Sequence, residues 1–99
     1  MSKTFDDLIS KVKGIPMKKV SVAVAQDSAV LEAVRAAKDR KIADAILVGD
    51  EAKIKAIASD IQVDISDFEI VNVEDDIEAS LAAVKLVHEG KADMYEGLN

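Results

Sequence analysis

The chain of 99 residues contains no cysteine. A disulfide framework and any cysteine-ligated zinc or iron–sulfur centre are therefore excluded. Its single histidine, His88, cannot by itself build a usual transition-metal site. Aromatic residues are scarce, with two phenylalanines, one tyrosine and no tryptophan. Together with a net charge of −6, that makes nucleic acid a poor partner. No apolar run approaches the roughly 18 residues of a membrane span. The opening Met1-Ser2-Lys3-Thr4-Phe5-Asp6-Asp7 has acids in its first turn and no long apolar core, unlike a secretory signal. These features favour the cytoplasm and no membrane partner. Neither the glycine-rich dinucleotide fingerprint nor the phosphate-binding P-loop is present.

What is present reads as one globular domain over residues 1–99. The hydrophobic fraction is 49% and the charged fraction 32%, a globular balance rather than a disordered one. Charge is uneven along the chain: residues 1–20 carry +3, residues 21–59 zero and residues 60–99 −9. The acidic C-terminal part reads as a solvated face.

Helical and strand patterns alternate. Thr4 caps a first helix carrying Phe5, Leu8, Ile9 and Val12, ended by Gly14 and Pro16. Lys19 to Ala25 alternates valine with small residues, as a central parallel strand covered on both faces does. Asp27 or Ser28 caps a second helix with Val30, Leu31, Val34 and Ala37, running to about Lys41. Ala45-Ile46-Leu47-Val48 is a buried strand, closed by a Gly49-Asp50 turn and cap. A third helix carries Ile54, Ile57, Ala58 and Ile61, and Phe68 to Val73 forms a third strand. Ile77, Leu81, Val84 and Val87 or His88 supply the apolar positions of a fourth helix, capped by Gly90. Ala92 to Tyr95 begins a fourth strand. This order predicts an α/β fold with right-handed crossovers: a three-layer α/β/α, Rossmann-like domain with a parallel sheet of three to four strands and a leading helix. The chain stops almost as the fourth strand begins, so either another chain completes the sheet or the sequence is a piece of a longer protein.

Open parallel sheets bind ligands beyond the C-terminal ends of their strands. Here those ends are Gln26-Asp27-Ser28, Gly49-Asp50-Glu51 and Glu74-Asp75-Asp76. Gln26, Asp27 and Ser28 stand at a helix N-terminus, where free amides favour an anion such as phosphate; helix capping explains the same residues. Gly49 and Asp50 read either as a close backbone approach to a ligand or as a tight turn before a capped helix. Glu74, Asp75 and Asp76 match no calcium-loop spacing, and one of them is placed to cap the last helix. His88 falls in a last helical turn, where a cation is favourable. Ser21, Ser59, Ser66 and Ser80 lack a nucleophile-elbow context. The residues alone assemble no catalytic set and no metal site.

Several stretches taken in order carry a resemblance. They are Lys18-Lys19-Val20-Ser21-Val22-Ala23-Val24-Ala25-Gln26-Asp27, Val30-Leu31-Glu32-Ala33-Val34 and Ile42 to Asp50. Asp67 to Asn72, Ala82 to Val87 and Gly90-Lys91-Ala92-Asp93-Met94 continue it. Over residues 4–94 the chain resembles the opening of the phosphate butyryltransferases, which belong with the phosphate acetyltransferases. The resemblance implies transfer of a short acyl group between coenzyme A and inorganic phosphate, giving an acyl phosphate. Coenzyme A and acyl-CoA would be substrates rather than tightly held cofactors, and neither a metal nor a covalent enzyme intermediate is implied. It implies an oligomer of two-domain subunits about three times this length. In that family the Ala-Asp-Met strand leads into a Met-Lys-Gly turn near the substrates; here Glu96 replaces the lysine, the wrong sign for phosphate. The family's serine and arginine catalytic positions lie further on, so no catalytic residue carries over and the chain alone is expected to be inactive. The alternative is a non-catalytic interaction or structural module that self-associates through its sheet edge.

Overall fold

A computed structural model describes residues 17–97. The expected first helix lies outside the described residues. The order that follows is β1 (Lys18–Ala23), α1 (Ser28–Asp39), β2 (Ala43–Gly49), α2 (Glu51–Asp60), β3 (Glu69–Asn72), α3 (Asp76–His88) and β4 (Met94–Glu96). The strands form one parallel sheet in the order β3-β2-β1-β4. Val20 stands beside Ala45 on one side and Met94 on the other, so β1 is central.

Alternation along the strands makes two cores. Val20, Val22, Ala45 and Leu47 point to one face, where they meet Leu31, Val34, Ala37, Ile54 and Ala58 of α1 and α2. Ala23, Ile46 and Val48 point to the other, where they meet Ala79, Ala83 and Leu86 of α3. Burying each Val, Leu or Ile side chain stabilises by about 1.5–3 kcal/mol. Ser21 is the buried polar residue within the described core, and its hydroxyl donates to the Ala83 carbonyl at 2.7 Å.

The face of α3 differs from the one its large apolar residues suggest. Ile77 and Leu81 point outward, 73% and 65% exposed, while Ala79 and Ala83 pack on the sheet. Alanines win that face because the helix backbone must come close enough for Ala83 to accept from Ser21. Two strands are also shorter than their apolar runs. Val24 leaves β1 by turning to φ 54°, and Phe68 precedes β3 as a buried anchor of the loop after α2.

The three described helices end in one way. The amide of the residue past each cap and the amide after it bond back to the last turn: Lys41 and Ile42, Gln62 and Val63, Gly90 and Lys91. The first of each pair is left-handed, at φ 59° for Lys41, 58° for Gln62 and 77° for Gly90.

Candidate functional site

The chain runs from β1 through α1, β2 and α2 to β3 in one direction across the sheet. It then crosses the opposite face through α3 and returns to β4 on the far side of β1. The order therefore reverses between β1 and β4. Beyond the C-terminal ends of those two strands lies the crevice where open α/β sheets take ligands.

The loop leaving β1 forms one wall of this crevice. Val24 holds a left-handed conformation that β-branched residues strongly disfavour, a local strain at the switch point. The chain is then pinned: the Ala25 amide donates to the Val48 carbonyl at 3.1 Å, and the Asp27 amide to the Ala25 carbonyl at 2.8 Å. Asp27 is the N-cap of α1, its carboxylate accepting from the Val30 amide at 3.1 Å. Among the described residues the amides of Ser28 and Ala29 meet no acceptor, so both remain available at the helix mouth.

The neighbouring mouth, at α2, is closed by other side chains. Gln26 reaches across, and its Oε1 accepts from the Asp50 amide at 3.3 Å. Asn72, at the end of β3, accepts from the Glu51 amide at 3.0 Å. Asp50 caps the helix by accepting from the Lys53 amide at 3.2 Å. Gly49 makes room for this bridge: an added Cβ would displace Gln26 Oε1 and stand 3.1 Å from the Ala25 amide nitrogen. The structure thus places Gln26, Gly49 and Asp50 in one hydrogen-bonded unit tying β1 to β2, with Asp27 and Ser28 beside it at the head of α1.

On the third loop, Asp75 caps α3 through the Glu78 amide at 2.9 Å. Among the described residues no group of three or more His, Asp or Glu is placed to hold a metal ion. Across the crevice, Glu96 closes β4 with Oε2 shut off from solvent and without a hydrogen-bond partner among the described residues. The strand-end loops carry Asp27, Asp50, Glu51, Glu74, Asp75, Asp76 and Glu96, and no lysine or arginine. The rim can offer amides to an anion, but its field opposes one.

Two features of this rim are not visible in the sequence pattern. Val24 sits in an unbroken valine–alanine alternation that reads as strand, and nothing local marks its turn. Asn72 carries a weak signal, a polar amide closing an apolar strand. A groove of about 570 Å³ lies elsewhere, between the α2 residues Lys55 and Ala58 and the segment Val63 to Ile70, along the β3 edge. It contains none of the residues at the switch point.

This arrangement defines an α/β domain with a parallel sheet whose strand order reverses between β1 and β4. Residues 4–97 match the phosphate acetyl/butaryl transferase family, and the chain belongs to that family. It is 60% identical over 94 residues to the phosphate butyryltransferase of Clostridium acetobutylicum, covering 95% of this chain and 31% of that protein. Identity to the phosphate butyryltransferase of Clostridium beijerinckii is 55% over 94 residues, with the same shares covered. The phosphate acetyltransferase of Rickettsia felis is 36% identical over 86 residues, covering 86% of this chain and 24% of that protein. The chain thus spans about a third of the length of the curated butyryltransferases it matches, their N-terminal part. The EutD phosphotransacetylase of Staphylococcus aureus shares the fold, with a TM-score of 0.55 at 23% identity over 91% of this chain and 27% of that one. Among the described residues no helix is long and apolar enough to cross a membrane.

Proposed function

We propose that this chain is the opening domain of a phosphate acyltransferase that moves a short acyl group, preferentially butyryl, between coenzyme A and inorganic phosphate. The observation that carries this reading is the 60% identity to a phosphate butyryltransferase over nearly the whole chain. The butyryl preference rests on the two clostridial butyryltransferases, at 60% and 55% identity. In the reaction a phosphate oxygen adds to the thioester carbonyl carbon. The carbon–sulfur bond then breaks, and the coenzyme A thiolate leaves and takes up a proton. Both substrates are small cytoplasmic metabolites, and the protein is placed there with them.

In this reading the domain contributes the strand-end face. Ser28 and its neighbour Ala29 offer amides to an anionic group, and Asp27 fixes the helix that presents them. Gln26, Gly49 and Asp50 hold the adjoining loops in register. Among the described residues the face has carboxylates but no cation to balance phosphate, so the acyl transfer calls on residues beyond this region. The 99-residue chain binds without turning over.

One coupled experiment tests this. Butyryl-CoA and phosphate are incubated with protein shown to be folded by circular dichroism, and thiol release is followed. Melting curves are recorded in parallel with coenzyme A and with phosphate. The expected result is no release above the protein-free control and a raised melting temperature with millimolar coenzyme A. Release above control would overturn the assignment of catalysis to residues outside this chain. Unchanged melting with both ligands would remove the strand-end binding face.

A further inference from the structure

Helix α3 is apolar on two opposite faces. One face carries Ala79, Ala83 and Leu86 onto the sheet. The other carries Ile77, Leu81, Val84 and His88, at spacings of four, three and four residues, along a single outward line. Ile77 and Leu81 are 73% and 65% exposed, the two most exposed large apolar side chains in the described structure. A helix apolar on opposite faces belongs between two layers, and among the described residues only one is present.

The charges beside this line indicate what the second layer is. Glu78 and Lys85 are both exposed, seven residues apart, and lie on the same flank of the stripe. The N-terminal end of α3 is acidic, with Asp76 and Glu78 following Glu74 and Asp75; its C-terminal end carries Lys85, His88 and Lys91, with Glu89 between them at 3.8 Å from Lys85 and 3.5 Å from Lys91. Such a helix is complementary to itself when a second copy lies antiparallel. In a two-fold pair, flanks of the same kind meet, so Glu78 of each copy faces Lys85 of the other. The same register sets Leu81 against Val84 across the axis.

We propose that the exposed face of α3 is a self-association surface, on which a second copy of this chain packs its own α3 antiparallel through Ile77, Leu81 and Val84. One helix pair of this length falls below the roughly 1,200 Å² of a standard specific interface, so the dimer is weak and depends on concentration. This site lies on the layer opposite α1 and α2 and does not use the edges of the sheet.

Sedimentation equilibrium of the 99-residue chain tests the proposal. The wild-type mass should rise toward a dimer as concentration approaches the millimolar range. Leu81→Lys should remain monomeric with an unchanged circular dichroism spectrum, since that side chain makes little contact with its own core. Glu78→Lys and Lys85→Glu should each weaken self-association by about tenfold, because each replaces two attractive contacts with two repulsive ones. An equimolar mixture of those two variants should recover the dimer, as should the double variant Glu78→Lys/Lys85→Glu. A wild-type chain that stays monomeric at millimolar concentration would overturn the proposal and leave this face to the remaining chain found in the longer relatives. So would a dimer indifferent to Leu81→Lys, which would point to sheet-edge pairing, or a mixture no stronger than its parts.

Discussion

Arg35 on α1 grips Asp67 in the loop before β3 with two parallel hydrogen bonds, Nη1 to Oδ1 at 2.7 Å and Nη2 to Oδ2 at 3.2 Å. The same guanidinium donates to the Asp64 carbonyl at 2.8 Å, and Lys38 donates to the Asp67 carbonyl at 2.7 Å. Both cations lie over the Phe68 ring, at 5.1 Å for Arg35 and 4.7 Å for Lys38. The long loop between α2 and β3 is thereby fastened to the neighbouring helix by charge as well as by the buried ring.

This grip predicts a pH dependence. The hydrogen bonds from Arg35 hold the Asp67 carboxyl at about 2, below its ordinary 3.8. A carboxyl lowered in the folded state adds stability above the unfolded value and loses it as pH falls through the folded value. Asp67→Asn should therefore melt below wild type at neutral pH, and the gap should close between about pH 3.8 and about pH 2. Melting curves across that range check it; a gap that stays constant at low pH would show that the carboxylate charge plays no part.

The bridge from Gln26 to Asp50 makes a second prediction. Gly49→Ala places a methyl group into Gln26 Oε1 and close to the Ala25 backbone. Overpacking of this kind costs about 1–3 kcal/mol. Removing the obstructing side chain in Gly49→Ala/Gln26→Ala should return part of that loss, although the Asp50 amide then loses its acceptor. Urea unfolding of both single variants and the double variant gives the coupling. Strict additivity would mean that the clash is absorbed elsewhere.

Most of the architecture was legible because its signals are local. Asp27 and Asp50 precede helical spacing and do cap helices, and the Ile46–Val48 run is a strand covered on both faces. The strand order was not legible, since apolar strands carry no label for their neighbours. The orientation of α3 was misleading because size and burial are opposed there: Ala79 and Ala83 fit the narrow gap to the sheet, while Ile77 and Leu81 are left outside. At the crevice the residue types were readable but their partners were not. Gln26 and Asp50 are 24 positions apart in sequence, and only the pairing of β1 with β2 brings them together.

Ser21 sits inside the sheet beneath α3, and its single hydroxyl bond to Ala83 is buried at 2.7 Å. Ser21→Ala should destabilise the domain by about 1 kcal/mol, the usual net value of such a bond. The Ala83 carbonyl also stands within the helix ladder, so it is not left bare. Ser21→Val adds bulk where the helix approaches most closely and should cost more than alanine. If valine proved as stable as alanine, the contact between α3 and β1 would be looser than this packing requires.

The helix ends offer the last prediction, in the opposite direction. Lys41 and Gln62 take the left-handed position that Gly90 takes at the end of α3. A side chain there brings Cβ against the backbone, a strain of roughly 1–2 kcal/mol that glycine does not feel. Glycine loses more freedom on folding, which returns part of the gain. Lys41→Gly and Gln62→Gly should therefore each raise stability by about 0.5–1 kcal/mol. Gly90→Ala should lower it by a similar amount, and there the reason is isolated, because an added Cβ at Gly90 meets no atom within 4 Å. Denaturant midpoints of the three variants, taken at a common slope, measure the backbone term at each helix end. A loss at Lys41→Gly equal to that at Gly90→Ala would mean that the lysine side chain contributes more at its surface than its conformation costs.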